Sequence, residues 1–159
     1  MNGKSWSKGY GLRGHHGVTH GGHGYGYPQR REIKSLLEDN EVDKILNLTD
    51  ENAEFFVEKA EKCAKEFAKS KVGISNTKLR NFYDYVKDMD KYEKVKLHLL
   101  RPRIAYTVGK EDNKGKKEIL EEFQKTMEKL INKTNNENFD NFKNFFEAIV
   151  AYHKMYGGK

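Results

Sequence analysis

The stretch FDNFKNFFEAIVAYHKMY, residues 139–156, decides the fold class. Its apolar and aromatic positions recur in steps of three and four residues, at Phe139, Phe142, Phe146, Ile149, His153 and Tyr156. Because an α-helix turns once every 3.6 residues, this spacing places these side chains on one helical face. Gly157 and Gly158 follow at the point where the helix is expected to stop. The stretch therefore predicts a C-terminal helix with an aromatic face.

The residues before this stretch keep the same helical spacing toward the N-terminus. A short first helix is predicted over residues 31–39, and a second helix begins at an N-cap supplied by Thr49 or Asp50. The second helix is expected to run to about Ser70, with Gly73 closing it. Its predicted inward stripe consists of Ala53, Phe56, Val57, Ala60, Ala64 and Phe67.

The third and fourth segments follow a second capping residue, Ser75. The third helix is predicted to face inward with Leu79, Phe82, Tyr83, Val86 and Met89. The fourth segment, residues 91–108, is apolar on more than one side, which predicts a central position. Pro102 lacks a backbone N–H, so the segment either kinks there or restarts with Pro102 in its first turn. Gly109 is expected to end it.

A fifth helix is indicated by one narrow apolar seam over residues 119–131, which is typical of a surface helix packed by a single face. Together these segments predict an all-α fold. We expect a compact bundle of about five to six helices that occupies residues 30–159.

The first 29 residues differ in composition from the rest of the chain. They hold nine of the fourteen glycines and four of the six histidines, and almost no aliphatic residue. Glycine loses the most conformational entropy on ordering, and little apolar surface is available here to offset that loss. Residues 1–29 are therefore predicted to form a disordered, flexible arm that precedes the helical domain.

The four histidines of this arm leave three interpretations open. His15, His16, His20 and His23 could gather on a metal ion, but no cysteine or carboxylate lies among them. The arm could instead contact RNA through aromatic stacking and positive charge, or remain solvated without a fixed partner. We predict no metal site.

The composition excludes several classes of protein. The 159 residues, 36% of them apolar, suffice for one domain but contain no run of about 18 apolar residues that could cross a membrane. No secretory signal is evident, and Cys63 is the single cysteine, so we expect a cytoplasmic protein in which Cys63 packs in the core. Phosphate-binding loops, zinc-protease motifs and nucleophile elbows are all absent. The sequence predicts neither an enzyme nor a cofactor.

The net charge of +6 is unevenly distributed. Residues 1–31 carry five basic residues and no acid, and residues 94–110 carry five more and no acid, whereas residues 32–61 hold ten acids against three lysines. On the fourth segment the basic groups form two stripes, Lys94, His98 and Arg101 on one and Lys96, Arg103 and Lys110 on the other. These stripes are either phosphate contacts or the polar side of a partly buried helix. Because His153 lies on the aromatic face of the last helix, the sequence favours a hydrogen-bonded core histidine over a catalytic one.

Three segments together resemble a known family. They are Ile74-Ser-Asn-Thr-Lys-Leu-Arg-Asn-Phe82, Leu99-Leu-Arg-Pro-Arg-Ile-Ala-Tyr-Thr-Val-Gly-Lys110 and Phe145-Phe-Glu-Ala-Ile-Val-Ala-Tyr-His-Lys-Met-Tyr-Gly-Gly158. In order and spacing they are similar to the small subunit of the type III-A CRISPR effector, the Csm complex. The resemblance covers roughly residues 31–159 and does not extend to the arm.

The resemblance implies a noncatalytic, all-helical subunit of this antiviral complex. Such a subunit stacks in several copies beside the backbone subunits and the large multidomain subunit, and it contacts the guide RNA and the target RNA. Carried over to matching positions, the implied RNA-binding residues are Lys78, Arg80, Arg101, Arg103, Lys110, His153 and Lys154. The alternative is a helical oligomerisation or scaffold module, whose basic stripes pair with the acidic residues 32–61 of a neighbouring copy.

Overall fold

Helices account for nearly all regular structure in the computed structural model, which describes residues 32–157. Seven α-helices and one 3-10 turn are present in this range. They are α1 (Asp39–Leu46), the 3-10 turn (Asp50–Asn52), α2 (Ala53–Phe67), α3 (Asn76–Lys87), α4 (Lys94–His98), α5 (Leu100–Lys110), α6 (Lys114–Lys133) and α7 (Phe139–Met155). No strand occurs among these residues, which confirms the all-α prediction. The predicted arm, residues 1–29, lies outside the described residues.

Two long helices, α6 and α7, organise the core. Helix α7 packs against α1, α2 and α3, and α6 packs against α1, α2, α4 and α5. Phe146 of α7 joins the two groups, because its ring contacts Tyr83 of α3 and Phe123 of α6 at centroid distances of 5.5 and 6.2 Å. As the sequence predicts, α7 buries a dense aromatic face, made of Phe139, Phe142, Phe145 and Phe146, but Tyr156 lies past the end of the helix and is exposed.

The fifth predicted segment agrees with the structure and the fourth does not. Helix α6 buries the predicted seam and Thr126 on one face, seven of its twenty residues, and its other residues are exposed or half-buried. The fourth segment is not central, because Val95, Leu99 and Tyr106 remain 75%, 51% and 68% exposed. Only one side of it packs inward, through Leu97, Leu100, Ile104 and Val108. The apolar residues on its other sides face solvent.

The first helix is displaced from its predicted range. Residues 32–38 are not helical, and α1 begins at Asp39 after a capping box in which Glu38 and Glu41 exchange side-chain and backbone hydrogen bonds. The preceding segment is held in place by Thr126 of α6, whose hydroxyl accepts a hydrogen bond from the Leu36 backbone N–H at 3.0 Å. This contact joins residues far apart in sequence, so helical periodicity alone could not reveal it.

The second helix follows its prediction with three differences. Thr49 caps the 3-10 turn rather than α2 itself, and α2 ends at Phe67, earlier than Ser70. Within the predicted stripe Ala53 and Val57 are exposed. Cys63 takes a place in the core instead, 1% exposed, which agrees with its interpretation as a packing residue.

The caps that border the third and fourth segments follow the sequence. Ser75 Oγ accepts a hydrogen bond from the Lys78 backbone N–H at 3.2 Å, which starts α3. A break at Leu99 separates α4 from α5, so the helix restarts with Pro102 in the first turn of α5. Gly109 does not end this helix, which continues to Lys110. Within residues 32–157 no helix is long and apolar enough to cross a membrane.

Candidate nucleic-acid interface

A groove of about 550 Å³ lies between α3 and α5. Its walls combine aromatic, amide and basic side chains with two apolar ones, and they consist of Asn81, Phe82, Tyr85, Leu99, Pro102, Arg103, Tyr106 and Thr107. We call it the α3–α5 groove. The first and second family-like segments meet here, since the groove takes residues from both.

Arg103 is held at one wall of the groove by an aromatic ring. Its guanidinium lies over Tyr85 of α3, 4.3 Å from the ring centroid. The Tyr85 hydroxyl in turn donates a hydrogen bond to the carbonyl of Lys96 at 2.7 Å, so this tyrosine ties α3 to α4. A guanidinium stacked on a ring keeps its N–H edge available for a phosphate. Arg103 has no carboxylate within ion-pair distance among the described residues.

Tyr106 and Lys110 extend the same side of α5. They follow Arg103 at steps of three and four residues, which places the three on one helical face. The Lys110 ammonium lies 5.3 Å from the centroid of the Tyr106 ring, and that tyrosine is 68% exposed. An exposed ring between two cations is an arrangement on which a nucleic-acid base can stack while its phosphates meet the cations.

Lys78 reaches this region from the first turn of α3. Its ammonium forms an ion pair with Glu111, just past the end of α5, with an Nζ–Oε2 distance of 3.4 Å. A hydrogen bond from the Asn113 backbone N–H and the nearby Lys78 ammonium hold the pKa of Glu111 below its ordinary value, against the opposing effect of burial. Glu111 therefore stays ionised at neutral pH and offsets part of the positive charge of Lys78.

Arg101 lies on another side of α5. Residues two apart on a helix point in nearly opposite directions, and Arg101 lines a separate shallow cleft with His98 and Glu128. Burial, together with the positive charges of Arg101 and Lys94, lowers the pKa of His98. The structure therefore separates the two arginines, and only Arg103 belongs to the α3–α5 groove.

Of the predicted site residues only Arg103 lines the groove, and Lys110 lies against Tyr106, one of its walls. Arg80 and Lys154 are exposed on α3 and α7. His153 is completely buried, and its Nε2 lies 2.8 Å from the carbonyl oxygen of Ile74, so in this conformation it is a core residue that joins the third family-like segment to the first. Burial lowers the pKa of His153, and the carbonyls of Ile74 and Phe67 oppose that shift only in part.

Sequence reasoning missed the aromatic half of this site. Tyr85 has no distinguishing sequence signal, and Tyr106 belongs to the fourth segment, for which the sequence predicts a central position. The sequence feature that could have identified Tyr106 is its position between Arg103 and Lys110 at helical spacing. No comparable signal links Tyr85 to Arg103, because the two meet only when α3 packs against α5.

Part of the acidic region is neutralised within the chain. Lysines of α6 pair with α1, Lys129 with Asp39 at 3.2 Å and Lys133 with Asp43 at 2.9 Å. Lys59 of α2 also pairs with Glu41. Residues 32–157 contain no group of three or more histidines, cysteines or carboxylates that could hold a metal ion.

A family model described as Csm2 Type III-A matches residues 50–159, more than two thirds of the chain. The chain belongs to this family. It is thus a small subunit of the type III-A CRISPR Csm complex, as its sequence resemblance implies. Comparison with curated proteins and with solved structures gives no match.

The Csm2 match places all three family-like segments inside one family domain. It begins at Asp50, so the 3-10 turn and helices α2 to α7 lie within it, whereas α1 and residues 31–49 of the wider resemblance lie outside. Both walls of the α3–α5 groove therefore belong to the part of the chain that the family defines. Membership also implies association with other subunits of the Csm complex.

Proposed function

We propose that this Csm2 chain is a noncatalytic RNA-binding subunit, which stacks in several copies along the effector and contacts the backbones of the guide and target RNAs. The observation that carries the proposal is the α3–α5 groove. Its walls hold Arg103 and the exposed ring of Tyr106, Lys110 lies against that ring, and Lys78 pairs with Glu111 next to Lys110 in the chain. In this arrangement the protein positions RNA, and the chemistry of target destruction belongs to other subunits.

The side chains of the groove fit a strand of any sequence. Cations contact phosphates, which carry no base identity, and a tyrosine ring stacks on any base. Sequence-independent contact is what a subunit needs when the guide itself reads the target through base pairing. Of the predicted site residues, Arg103 carries this role in the groove and Lys110 and Lys78 carry it beside the groove, whereas Arg80, Arg101 and Lys154 are exposed or half-buried cations elsewhere. His153 is excluded from the proposed contact by its burial.

The test compares two charge-matched variants of the full chain. The groove variant carries Lys78→Gln, Arg103→Gln and Lys110→Gln, and the control carries Lys→Gln at three exposed lysines elsewhere, Lys62, Lys87 and Lys125. Fluorescence anisotropy with labelled single-stranded RNA and with guide–target duplex gives the dissociation constant at several salt concentrations. Each lost phosphate contact reduces the slope of log Kd against log salt by roughly 0.7.

We expect the groove variant to bind RNA more weakly than the control variant, by a similar factor for unrelated RNA sequences. Both variants keep the helical content and melting temperature of the parent, because the substituted side chains are exposed. If both variants bind RNA with the same affinity and salt dependence, alone and in the assembled effector, the groove does not contact RNA.

A second candidate function is a scaffold module without direct RNA contact. The observation that favours it is the exposed apolar surface next to the groove, where Val95 is 75% and Leu99 51% exposed. Large apolar side chains in one exposed area are typical of protein contacts. The change Val95→Ser, which leaves the groove walls intact, distinguishes the two functions, since a scaffold loses assembly in this variant and retains it in the groove variant.

A further inference from the structure

A second basic cleft, of about 660 Å³, lies where the loop between α2 and α3 meets the beginning of α6. Lys69 and Lys71 of the loop and Lys116 of α6 contribute to its walls, together with Ser70, Ser75 and Tyr156. We call it the loop cleft. None of its lysines belongs to the family-like segments or to the α3–α5 groove.

Backbone contacts bring the three lysines together. The loop folds back on the end of α2 through hydrogen bonds from the Gly73 N–H to the Lys69 carbonyl and from the Ile74 N–H to the Phe67 carbonyl, both at 2.7 Å. A Cβ at Gly73 would lie 2.7 Å from the backbone of Ala68, so only glycine allows this return. The loop is therefore fixed in shape.

Helix α6 begins directly against this loop. A Cβ at Gly115 would lie 2.8 Å from the Val72 side chain, which shows how closely the two elements approach. Lys116 follows in the next position and lines the same cleft as Lys69 and Lys71. Three cations thus converge from two elements that are more than forty residues apart in sequence.

Lys71 has a backbone conformation that its side chain disfavours. Its φ of 70° lies in the left-handed region, where it is the only non-glycine residue among those described. A side chain pays a steric penalty there that glycine does not. Glycine at this position would relieve the strain, but it would also remove one of the three cations of the cleft.

The loop cleft adjoins the α3–α5 groove through the first turn of α3. Ser75 lines the cleft, and its Oγ accepts a hydrogen bond from the backbone N–H of Lys78 at 3.2 Å. The Lys78 side chain pairs with Glu111, and Lys116 is also close enough to lower the pKa of that carboxyl. A row of basic side chains therefore connects the two sites. It begins at Arg103 and Lys110, passes Lys78 and ends at Lys116 and the loop.

The carboxylates near the cleft leave its lysines able to bind another anion. Lys69 pairs with Glu66 at 3.4 Å, but both side chains are well exposed, and such a pair exchanges readily for another anion. Glu61 accepts a hydrogen bond from the Tyr156 hydroxyl and lies 3.9 Å from Lys65. Lys71 and Lys116 have no ion pair within residues 32–157.

From this geometry we infer that the loop cleft binds phosphate groups of the same RNA strand that occupies the α3–α5 groove. The inference rests on the proposed function, because the strand is the one that the groove receives. It extends the RNA-contacting surface beyond α5, across the first turn of α3, to the loop between α2 and α3. The cleft holds phosphates through lysine ammonium groups, so this contact is independent of base sequence.

The test uses RNA of two lengths, since a short strand fits the groove and a long one reaches the cleft. Oligonucleotides of about 6 and about 20 nucleotides lie near the lower end and beyond the upper end of the roughly 4 to 16 nucleotides that one single-strand binding domain covers. The cleft variant is Lys69→Gln, Lys71→Gln and Lys116→Gln in the full chain, compared with the control at Lys62, Lys87 and Lys125. At about 0.1 M salt, each lost phosphate contact weakens binding roughly 5-fold.

We expect the cleft variant to weaken binding of the long RNA and to leave the short RNA unchanged, whereas the groove variant weakens both. Equal behaviour of the cleft and control variants on the long RNA overturns the inference while the proposed function stands. If the groove variant binds both RNAs as the parent does, the proposed function fails, whatever the cleft variant does.

Lys71→Gly supplies an independent check on folding. This variant removes both the charge and the unfavourable side chain at a positive φ, so its melting temperature is expected to equal or exceed that of the parent while its affinity for the long RNA falls. A gain in stability with unchanged RNA affinity contradicts a phosphate contact at Lys71.

Discussion

The Arg103 guanidinium lies 4.3 Å from the centroid of the Tyr85 ring, and the Tyr85 hydroxyl donates a hydrogen bond to the carbonyl of Lys96. One tyrosine therefore supports the cation of α5 and fastens α4 to α3. Restricting a long side chain before binding reduces the entropy lost when it contacts a phosphate. We therefore expect RNA affinity to depend on the geometry of the Arg103 side chain as well as on its charge.

Replacing Arg103 separates its charge from its geometry. Arg103→Lys keeps the positive charge but loses the planar stack on Tyr85 and bidentate contact with a phosphate. We expect RNA affinity in the order parent, Arg103→Lys, Arg103→Ala, measured by anisotropy at fixed salt. Arg101→Ala serves as the matched control, because Arg101 lies outside the groove. An equal loss in Arg101→Ala and Arg103→Ala would argue for general electrostatic attraction instead.

Phe146 is the residue on which the core depends most clearly. It is 1% exposed and contacts aromatic rings of α3, α6 and α7. Phe146→Ala should lower the free energy of unfolding by about 3 to 5 kcal/mol, because a cavity replaces the ring. Urea denaturation followed by circular dichroism measures the loss. Val95→Ala at an exposed position should change stability by less than about 0.5 kcal/mol.

Local sequence signals predicted the helices after α1 and the cap at Ser75, but they misplaced the first helix and the role of Thr49. Ser75 and Pro102 act over one or two turns, and the aromatic seam of α7 has a period that no strand shares. The central position predicted for the fourth segment was wrong, because the burial of an apolar side chain depends on which neighbouring helix covers it. Val95 and Leu99 are apolar in sequence, yet no neighbouring helix covers them.

The candidate site was predictable only in part for the same reason. Arg103 and Lys110 could be named because they share one helix and one family-like segment. Tyr85, Lys71 and Lys116 could not, because they reach the groove or the loop cleft only through packing between elements distant in sequence. His153 shows the limits of resemblance: its helical spacing predicts a hydrogen-bonded core histidine, which the structure confirms, whereas the RNA contact was implied by the family resemblance alone.

Protonation of His153 should destabilise the fold. Burial holds its pKa in the folded state below the ordinary value of 6.5, so the unfolded state takes up the proton more readily. The free energy of unfolding is therefore expected to be constant well above pH 6.5 and to fall as the pH drops below it. His153→Gln should be less stable than the parent at pH 7.5 and should show a smaller decrease down to pH 5.5. The measurement is chemical denaturation at each pH.

His98 is the control for this pH effect, because burial and two nearby cations also lower its pKa. His98→Gln should remove the part of the pH dependence of the free energy of unfolding that comes from His98. The contact between His153 and Ile74 should stay intact in this variant. A parent protein whose stability does not change between pH 7.5 and 5.5 would contradict the prediction for both histidines.

Cys63 should report on opening of the core. Burial raises the pKa of its thiol to about 12, and the side chain is 1% exposed, so the folded protein presents almost no thiolate to a reagent. Alkylation is expected to be slow in the native state and to accelerate in urea below the unfolding transition. Since Cys63 is the single cysteine, mass spectrometry follows one modification. Rapid stoichiometric labelling of the native protein would disprove its burial.

Removing the negative charge of Glu111 should strengthen RNA binding. Glu111 is ionised at neutral pH, and its Oε2 lies 3.4 Å from the Lys78 ammonium. It therefore repels phosphate and also keeps the Lys78 ammonium in an ion pair. In Glu111→Gln the side-chain oxygen can still accept the hydrogen bond from the Asn113 N–H, while Lys78 becomes free to contact RNA. We expect a lower Kd and a salt slope steeper by roughly 0.7, the contribution of one additional phosphate contact.

The exposed neighbour Asp112 provides the control, since Asp112→Asn removes the same charge without releasing Lys78. Combining Glu111→Gln with Lys78→Gln decides the cause, because the gain should largely disappear if it acts through Lys78. A gain of equal size in Asp112→Asn, or one that persists without Lys78, would show that net charge alone governs binding and that the ion pair has no part in it.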